Sequence, residues 1–272
     1  VDILTSINWF KRYDIVIPTN GRLQVFLVRL LTWLTNSKMI VSGQSGVGLD
    51  DRLNLYAFPD IFVAISSYAL DQSRKRNPLV KSVYIPNGVD LNKFKSIKPM
   101  PKSKNLKTVL SVGAFTEQKR HELVIRAVSR LDNVKLVIAG GGGELKDNIY
   151  ELGIKNLGEE RFELFQVDHG KMPDIYNKAD VFTLASKSSE SFGIVLVEAM
   201  ASNLPVVATD DPIRREIVGD AGLFVDPTDT DECAKAIEKA LSTNWGTRPR
   251  KQAEKFDWDK IALEYEKLFK EL

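Results

Sequence analysis

Short runs of β-branched and aromatic residues alternate with amphipathic stretches along almost all of the 272 residues, and this alternation narrows the fold more than any other feature. The pattern predicts strands over 14–17, 38–41, 61–65 and 83–85, with helices over 23–35, 51–57 and 66–77. The helix over 23–35 is so apolar that it reads as largely buried. A second series follows, with strands over 108–112, 134–139, 162–165, 181–184, 206–208 and 222–225. Helices over 119–131, 144–152, 172–177 and 231–241, and one ending before Asn203, stand between them. Strands separated by helices in this way pair in parallel and are covered on both faces. The expected class is therefore α/β, with doubly wound Rossmann-like sheets.

The two series are separated by a Lys-, Ser- and Pro-rich stretch, which reads as a linker. The boundaries that follow are 1–92 for a first domain, 93–106 for the linker and 107–256 for a second domain. Residues 257–272 form a terminal helix whose apolar stripe, from Trp258 and Ile261 to Phe269 and Leu272, must dock on something. Three or four strands make a thin first sheet. With Val1 where an initiator Met would stand, the expectation is that about a third of the first domain is missing upstream.

A net charge of +2 is too mild to imply nucleic acid. The single cysteine, Cys233, excludes an internal disulfide framework and fits a reducing, cytoplasmic setting. No run approaches the roughly 18 apolar residues of a membrane span. Arg12, Arg22 and Arg29 beside the apolar 23–34 segment leave room for peripheral contact with the inner face of a membrane.

Chemistry concentrates in Glu190-Ser191-Phe192-Gly193-Ile194-Val195-Leu196-Val197-Glu198, a loop running into a helix with carboxylates eight positions apart. The first amides of a helix lack intrahelical partners and, with the helix dipole, favour an anion such as phosphate. Gly193 would let that ligand approach the backbone. Glu198, roughly 7 Å along the axis at about 1.5 Å per residue, could then meet a sugar diol, and Glu190 a second sugar. The plainer alternative is a helix-capping Glu190 and a half-buried Glu198. Gly113 after a strand, Lys119 six residues later and the Gly140–Gly143 run would fall on the same side of the sheet, at the carboxyl ends of the strands.

Glu190-Ser191-Phe192-Gly193 with Glu198 resembles the E-x7-E motif of family 4 retaining glycosyltransferases (glycosyl transferases group 1). Ser111-Val112-Gly113 with Lys119, Ala179-Asp180-Val181, the 203–209 run and the 85–90 run are similar to further stretches of that family. The resemblance implies a GT-B fold, two Rossmann-like domains facing a crevice. It implies a nucleotide-sugar donor, UDP- or GDP-linked, and a glycan or lipid-linked acceptor. No cofactor and no metal are expected. Glu198 would hold the ribose and Glu190 the donor sugar. Amides of Phe192, Gly193 and Ile194 would meet the phosphate or sugar, Lys119 the leaving diphosphate, and backbone near Val167 the base.

Two departures weaken the likeness. Ala114 stands where the family usually has an Arg, with Arg120 a possible substitute, and Gly43-Gln44 stand where it often has a His. The two histidines read as a helix-surface residue, His121, and a loop residue, His169. A nucleotide-sugar-binding protein without transferase activity is the competing reading. A glycosidase built on the two glutamates fits poorly, since one carboxylate lies well inside a helix.

Overall fold

The structure, a computed structural model, describes residues 9–19, 21, 23–46, 48–96 and 106–272. Arg22, the first eight residues and most of the expected linker lie outside the described residues. Among those described, the chain up to Asn87 forms one compact unit together with Asp259–Leu272, and Gly88–Trp258 forms the other.

The first unit carries β1 (Ile15–Val16), α1 (Leu23–Thr35), β2 (Lys38–Gly43), α2 (Leu49–Tyr56), β3 (Ile61–Ala64), α3 (Ser67–Arg76) and β4 (Lys81–Tyr84). The strands form a parallel sheet in sequential order. Side chains alternate along a strand, so β2 and β3 serve two faces at once. Met39, Val41, Phe62 and Ala64 pack with Val25, Leu55 and Ala69 of the helices on one face. Ile40, Ile61 and Val63 pack on the other face with Ile261 and Leu268 of the terminal helix. Ser66 caps α3, its hydroxyl accepting from the amide of Ala69 at 3.1 Å.

One expectation fails here. The α1 helix is not largely buried: only Val25, Val28 and Thr32 are buried, with Leu31 packed partly against the same core, while Leu23, Leu27, Leu30, Trp33 and Leu34 are each more than half exposed. A helix lays one stripe on a sheet, and apolarity around the rest of its circumference does not turn it inward.

The second unit runs β5 (Lys107–Val112), α4 (His121–Val128), β6 (Val134–Gly140), α5 (Lys146–Leu157), β7 (Phe162–Gln166), α6 (Met172–Lys178) and β8 (Val181–Leu184). It continues with α7 (Ile194–Ala201), β9 (Val206–Thr209), α8 (Pro212–Val218), β10 (Gly222–Val225), α9 (Thr230–Ser242) and α10 (Arg248–Ala253), and leads into α11 (Trp258–Lys270). The parallel sheet has the order β10-β9-β8-β5-β6-β7. Winding reverses between β5 and β8, and ligands in such sheets bind outside the carboxyl ends of the strands at that switch point. The loops leaving β5 and β8 are those that carry Gly113, Lys119 and Glu190.

The helix after β5 starts at His121, two residues later than its apolar pattern implied, so Lys119 lies in a loop. Arg120 precedes the helix in a left-handed conformation, φ 49°. His121 is fully buried rather than on a helix surface. Helix α8 was not legible as a helix, although Asp211 caps it, accepting from the amides of Ile213 and Arg214 at 3.0 Å, with Pro212 at its first turn.

Candidate functional site

Glycine sets the geometry at the ends of β5 and β6. A Cβ on Gly140 would stand 1.9 Å from the carbonyl oxygen of Gly113, so only glycine lets the two strand ends approach this closely. The Gly113 amide donates to Ala139 at 3.1 Å, and that of Phe115 to Gly142 at 2.8 Å. The glycine run therefore braces the loop carrying Lys119. A Cβ on Gly113 would meet Lys119 Cγ at 3.0 Å, so the lysine stem lies across that glycine. Buried His121 sits close by, with Nδ1 3.2 Å from Ser111 Oγ. Burial pushes its imidazole down to about 4, opposed by backbone contacts with Ala114 and Gly113.

The two expected catalytic residues are brought together. Lys119 donates to Glu190, each side chain less than a fifth exposed. The loop bearing Glu190 is held from several directions. Arg120 Nε donates to Ala185 at 2.7 Å and its terminal nitrogen to Ser186 at 3.0 Å, and Thr209 also donates to the Ser186 carbonyl at 2.9 Å. Arg120 thus spends donors on backbone oxygens after β8. Arg214, on α8, donates to the carbonyls of Glu190 at 3.1 Å and Lys187 at 3.0 Å, and to the Ser186 hydroxyl at 2.8 Å.

Helix α7 follows, with Gly193 as its first boundary residue at φ +80°. Its Cβ would meet Leu196 Cδ1 at 2.9 Å, so this glycine answers to backbone conformation and packing inside the chain. The Phe192 ring is buried edge-on against Phe256, centroids 5.8 Å apart. Ile194 opens the helix and is partly exposed.

Glu198 has separate partners. It is buried within α7, with Oε2 accepting from the Tyr176 hydroxyl at 2.8 Å and Oε1 lying 2.8 Å from His169 Nε2. Burial and the neighbouring carboxylate hold the Tyr176 phenol well above its ordinary value. His169 Nδ1 faces Lys93 Nζ at 3.0 Å. An ammonium only donates and a carboxylate only accepts, so a neutral His169 carries its proton on Nε2. The amide of Val167 donates to Gly140 at 3.1 Å, which ties this position to the same glycine run.

Sequence reasoning missed Arg214, Tyr176 and the pairing of His169. Arg214 shares the face of Ile217 and Val218 by helical spacing, and that coincidence of a charge with an apolar stripe was the available signal.

A family model described as glycosyl transferases group 1 matches residues 92–257. Among curated proteins the chain is similar to phosphatidyl-myo-inositol mannosyltransferase of Mycolicibacterium smegmatis, at 33% identity over 69% of this chain and 51% of the relative. It is also similar to the lipopolysaccharide core biosynthesis glycosyltransferase LpsE of Rhizobium meliloti, at 36% identity over 50% of this chain and 40% of that one. The chain spans about half the length of the curated relatives it matches. Among solved structures, Anabaena HepE in complex with UDP and glucose superposes with a TM-score of 0.84 at 19% identity, covering 99% of this chain and 81% of that one. This likeness bears on the fold, which is α/β of the GT-B type. By the extent of the family match and the identity to the mannosyltransferase, the chain belongs to the glycosyl transferases group 1 family.

Proposed function

We propose that the chain works as a retaining glycosyltransferase, moving a sugar from a UDP- or GDP-sugar to a glycan or lipid-linked acceptor. The observation that carries this reading is the Lys119–Glu190 pair, formed between the loops that leave β5 and β8 on either side of the switch point. In the proposed reaction the anomeric carbon loses its bond to the diphosphate oxygen and gains one to the acceptor oxygen on the same face. The acceptor proton passes to the departing phosphate. Lys119, turning from Glu190 to the diphosphate, would neutralise charge that grows as the bond breaks, help typically worth several kcal/mol. Glu190 would hold the donor sugar, Glu198 the ribose, and backbone amides of Phe192, Gly193 and Ile194 the phosphate, with Gly113 leaving room beside them. Backbone at Val167 would meet the base. No metal or cofactor enters this scheme.

The names of the two curated relatives point to phosphatidylinositol and lipopolysaccharide acceptors, and the exposed apolar face of α1 offers a surface for membrane contact at the cytoplasmic face. The test is donor turnover by the full chain with UDP- and GDP-sugars, with soluble glycan and lipid acceptors in separate arms. Lys119→Ala and Glu190→Ala should each lower it at least tenfold, which corresponds to about 1.4 kcal/mol of transition-state stabilisation. Unchanged turnover in both variants would remove the mechanism. Nucleotide binding without transfer or donor hydrolysis would favour the competing reading of a binding protein, which Ala114 also motivates.

A further inference from the structure

Arg214 has no exposed surface, and its guanidinium is an expensive group to bury. Desolvation pulls its pKa below the ordinary value, Asp211 opposing at 2.9 Å, and Nε has no hydrogen-bond partner. An apolar side chain would fill the same space with no charge to desolvate. What the guanidinium supplies instead is three hydrogen bonds to one short segment: the Ser186 hydroxyl and the carbonyls of Lys187 and Glu190. That segment has no helix or strand of its own between β8 and α7. Its other ties include the Glu190 amide to Lys187 at 3.0 Å, the Lys187 amide to Gln118 at 3.0 Å, the Lys187 ammonium to Glu117 at 3.4 Å, the Lys119–Glu190 pair, and the bonds from Arg120 and Thr209 to residues 185 and 186. Arg214 alone among these reaches the Glu190 carbonyl, directly before the Ser191–Gly193 step into α7.

We propose that Arg214 is a positioning residue of the donor site, fixing the backbone of residues 186–190 so that the Glu190 carboxylate faces Lys119 and the donor sugar. This rests on the reading of Glu190 as a donor contact. Arg214 itself, sealed beneath the loop, touches no substrate. Its effect passes through Glu190.

Two measurements on the full chain test it, with Arg214→Met keeping the unbranched apolar stem and Arg214→Lys preserving charge. Hydrogen–deuterium exchange should show amides 187–193 at least tenfold faster in Arg214→Met and intermediate in Arg214→Lys, with β5 and β6 unchanged. Unchanged exchange at 187–193, or a uniform rise across the second unit, overturns the proposal whether or not the chain transfers sugar. In a double-mutant cycle, Arg214→Met should lower kcat about tenfold against wild type and less than twofold in a Glu190→Ala background. The dissociation constant for UDP should stay within threefold. A tenfold loss in both backgrounds overturns the proposal, because Arg214 would then act independently of Glu190. Should Arg214→Met fail to fold, Arg214→Lys decides by the same two readouts.

Discussion

His169 Nε2 lies 2.8 Å from Glu198 Oε1, so the carboxylate proposed to hold a ribose already has an internal donor on that oxygen. The other oxygen is engaged by buried Tyr176. The two donors differ in freedom: the Tyr176 hydroxyl is locked in the core, whereas the His169 side chain is 65% exposed and rests against Phe94 at 5.7 Å between centroids. A diol arriving at Glu198 competes with the imidazole and not with the phenol.

Replacing His169 with alanine should therefore tighten nucleotide binding. The net worth of an ordinary hydrogen bond is about 1 kcal/mol, which is roughly a fivefold lower dissociation constant for UDP or GDP by calorimetry. Weaker binding in His169→Ala would mean that the imidazole contacts the nucleotide instead of standing in for it.

Buried His121 makes stability depend on pH with a definite sign. Its folded pKa, about 4, lies below the ordinary 6.5, so the unfolded chain binds the extra proton first on acidification. The stabilising contribution is complete above about pH 6.5 and is lost as pH falls toward 4, a total of about 3 kcal/mol from the size of that shift. Urea unfolding at intervals over that range should show the loss in wild type and a flatter profile in His121→Asn. Parallel profiles would refute it.

Much of the architecture was readable because strand and helix periodicity report on local packing, and the β5–α4 and β8–α7 loops followed from it. Lys119 and Glu190 were visible as separate motifs. Their pairing depends on the sheet order that sets β5 beside β8, which lies 72 residues or so beyond any local pattern. Arg214 escaped because charged residues are read by default as surface groups, and α1 was misjudged for the converse reason. His121 shows the same bias: only the tertiary placement that sets it beside Ser111 of β5 buries it. In each case the residue type was legible and its environment was not.

Asp51, in α2 of the first unit, should act in the opposite sense to His121. It is buried, Oδ2 has no hydrogen-bond partner, and desolvation pushes the carboxyl up to about 7 against the opposing bonds from Ser45. A carboxylate with a raised folded pKa contributes stability below its ordinary value of 3.8, and that contribution is lost as pH rises toward 7. Asp51→Asn keeps the shape and removes the charge. It should be more stable than wild type at pH 8, by on the order of 4 kcal/mol, and no more stable at pH 4. A thermal melt that ranks Asp51→Asn below wild type at pH 8 would instead mean that the ionised carboxylate is used.

Gly140→Ala isolates the close approach on which the site depends. The added methyl would lie 1.9 Å from the Gly113 carbonyl oxygen, a backbone atom that cannot rotate away. Either the end of β6 or the loop beneath Lys119 must shift, and overpacking of this kind costs about 2–3 kcal/mol. The neighbouring Gly141 provides the control, since a Cβ there meets nothing within 4 Å, and Gly141→Ala should stay within about 0.5 kcal/mol of wild type. Denaturant midpoints of the two variants settle the contrast, because only the approach to Gly113 distinguishes them. If the strand end moves, Lys119 moves with the loop it crosses, so Gly140→Ala should also lose at least tenfold in the proposed transfer. Equal midpoints for the two alanine variants would show that the Gly113 and Gly140 backbones do not meet as described.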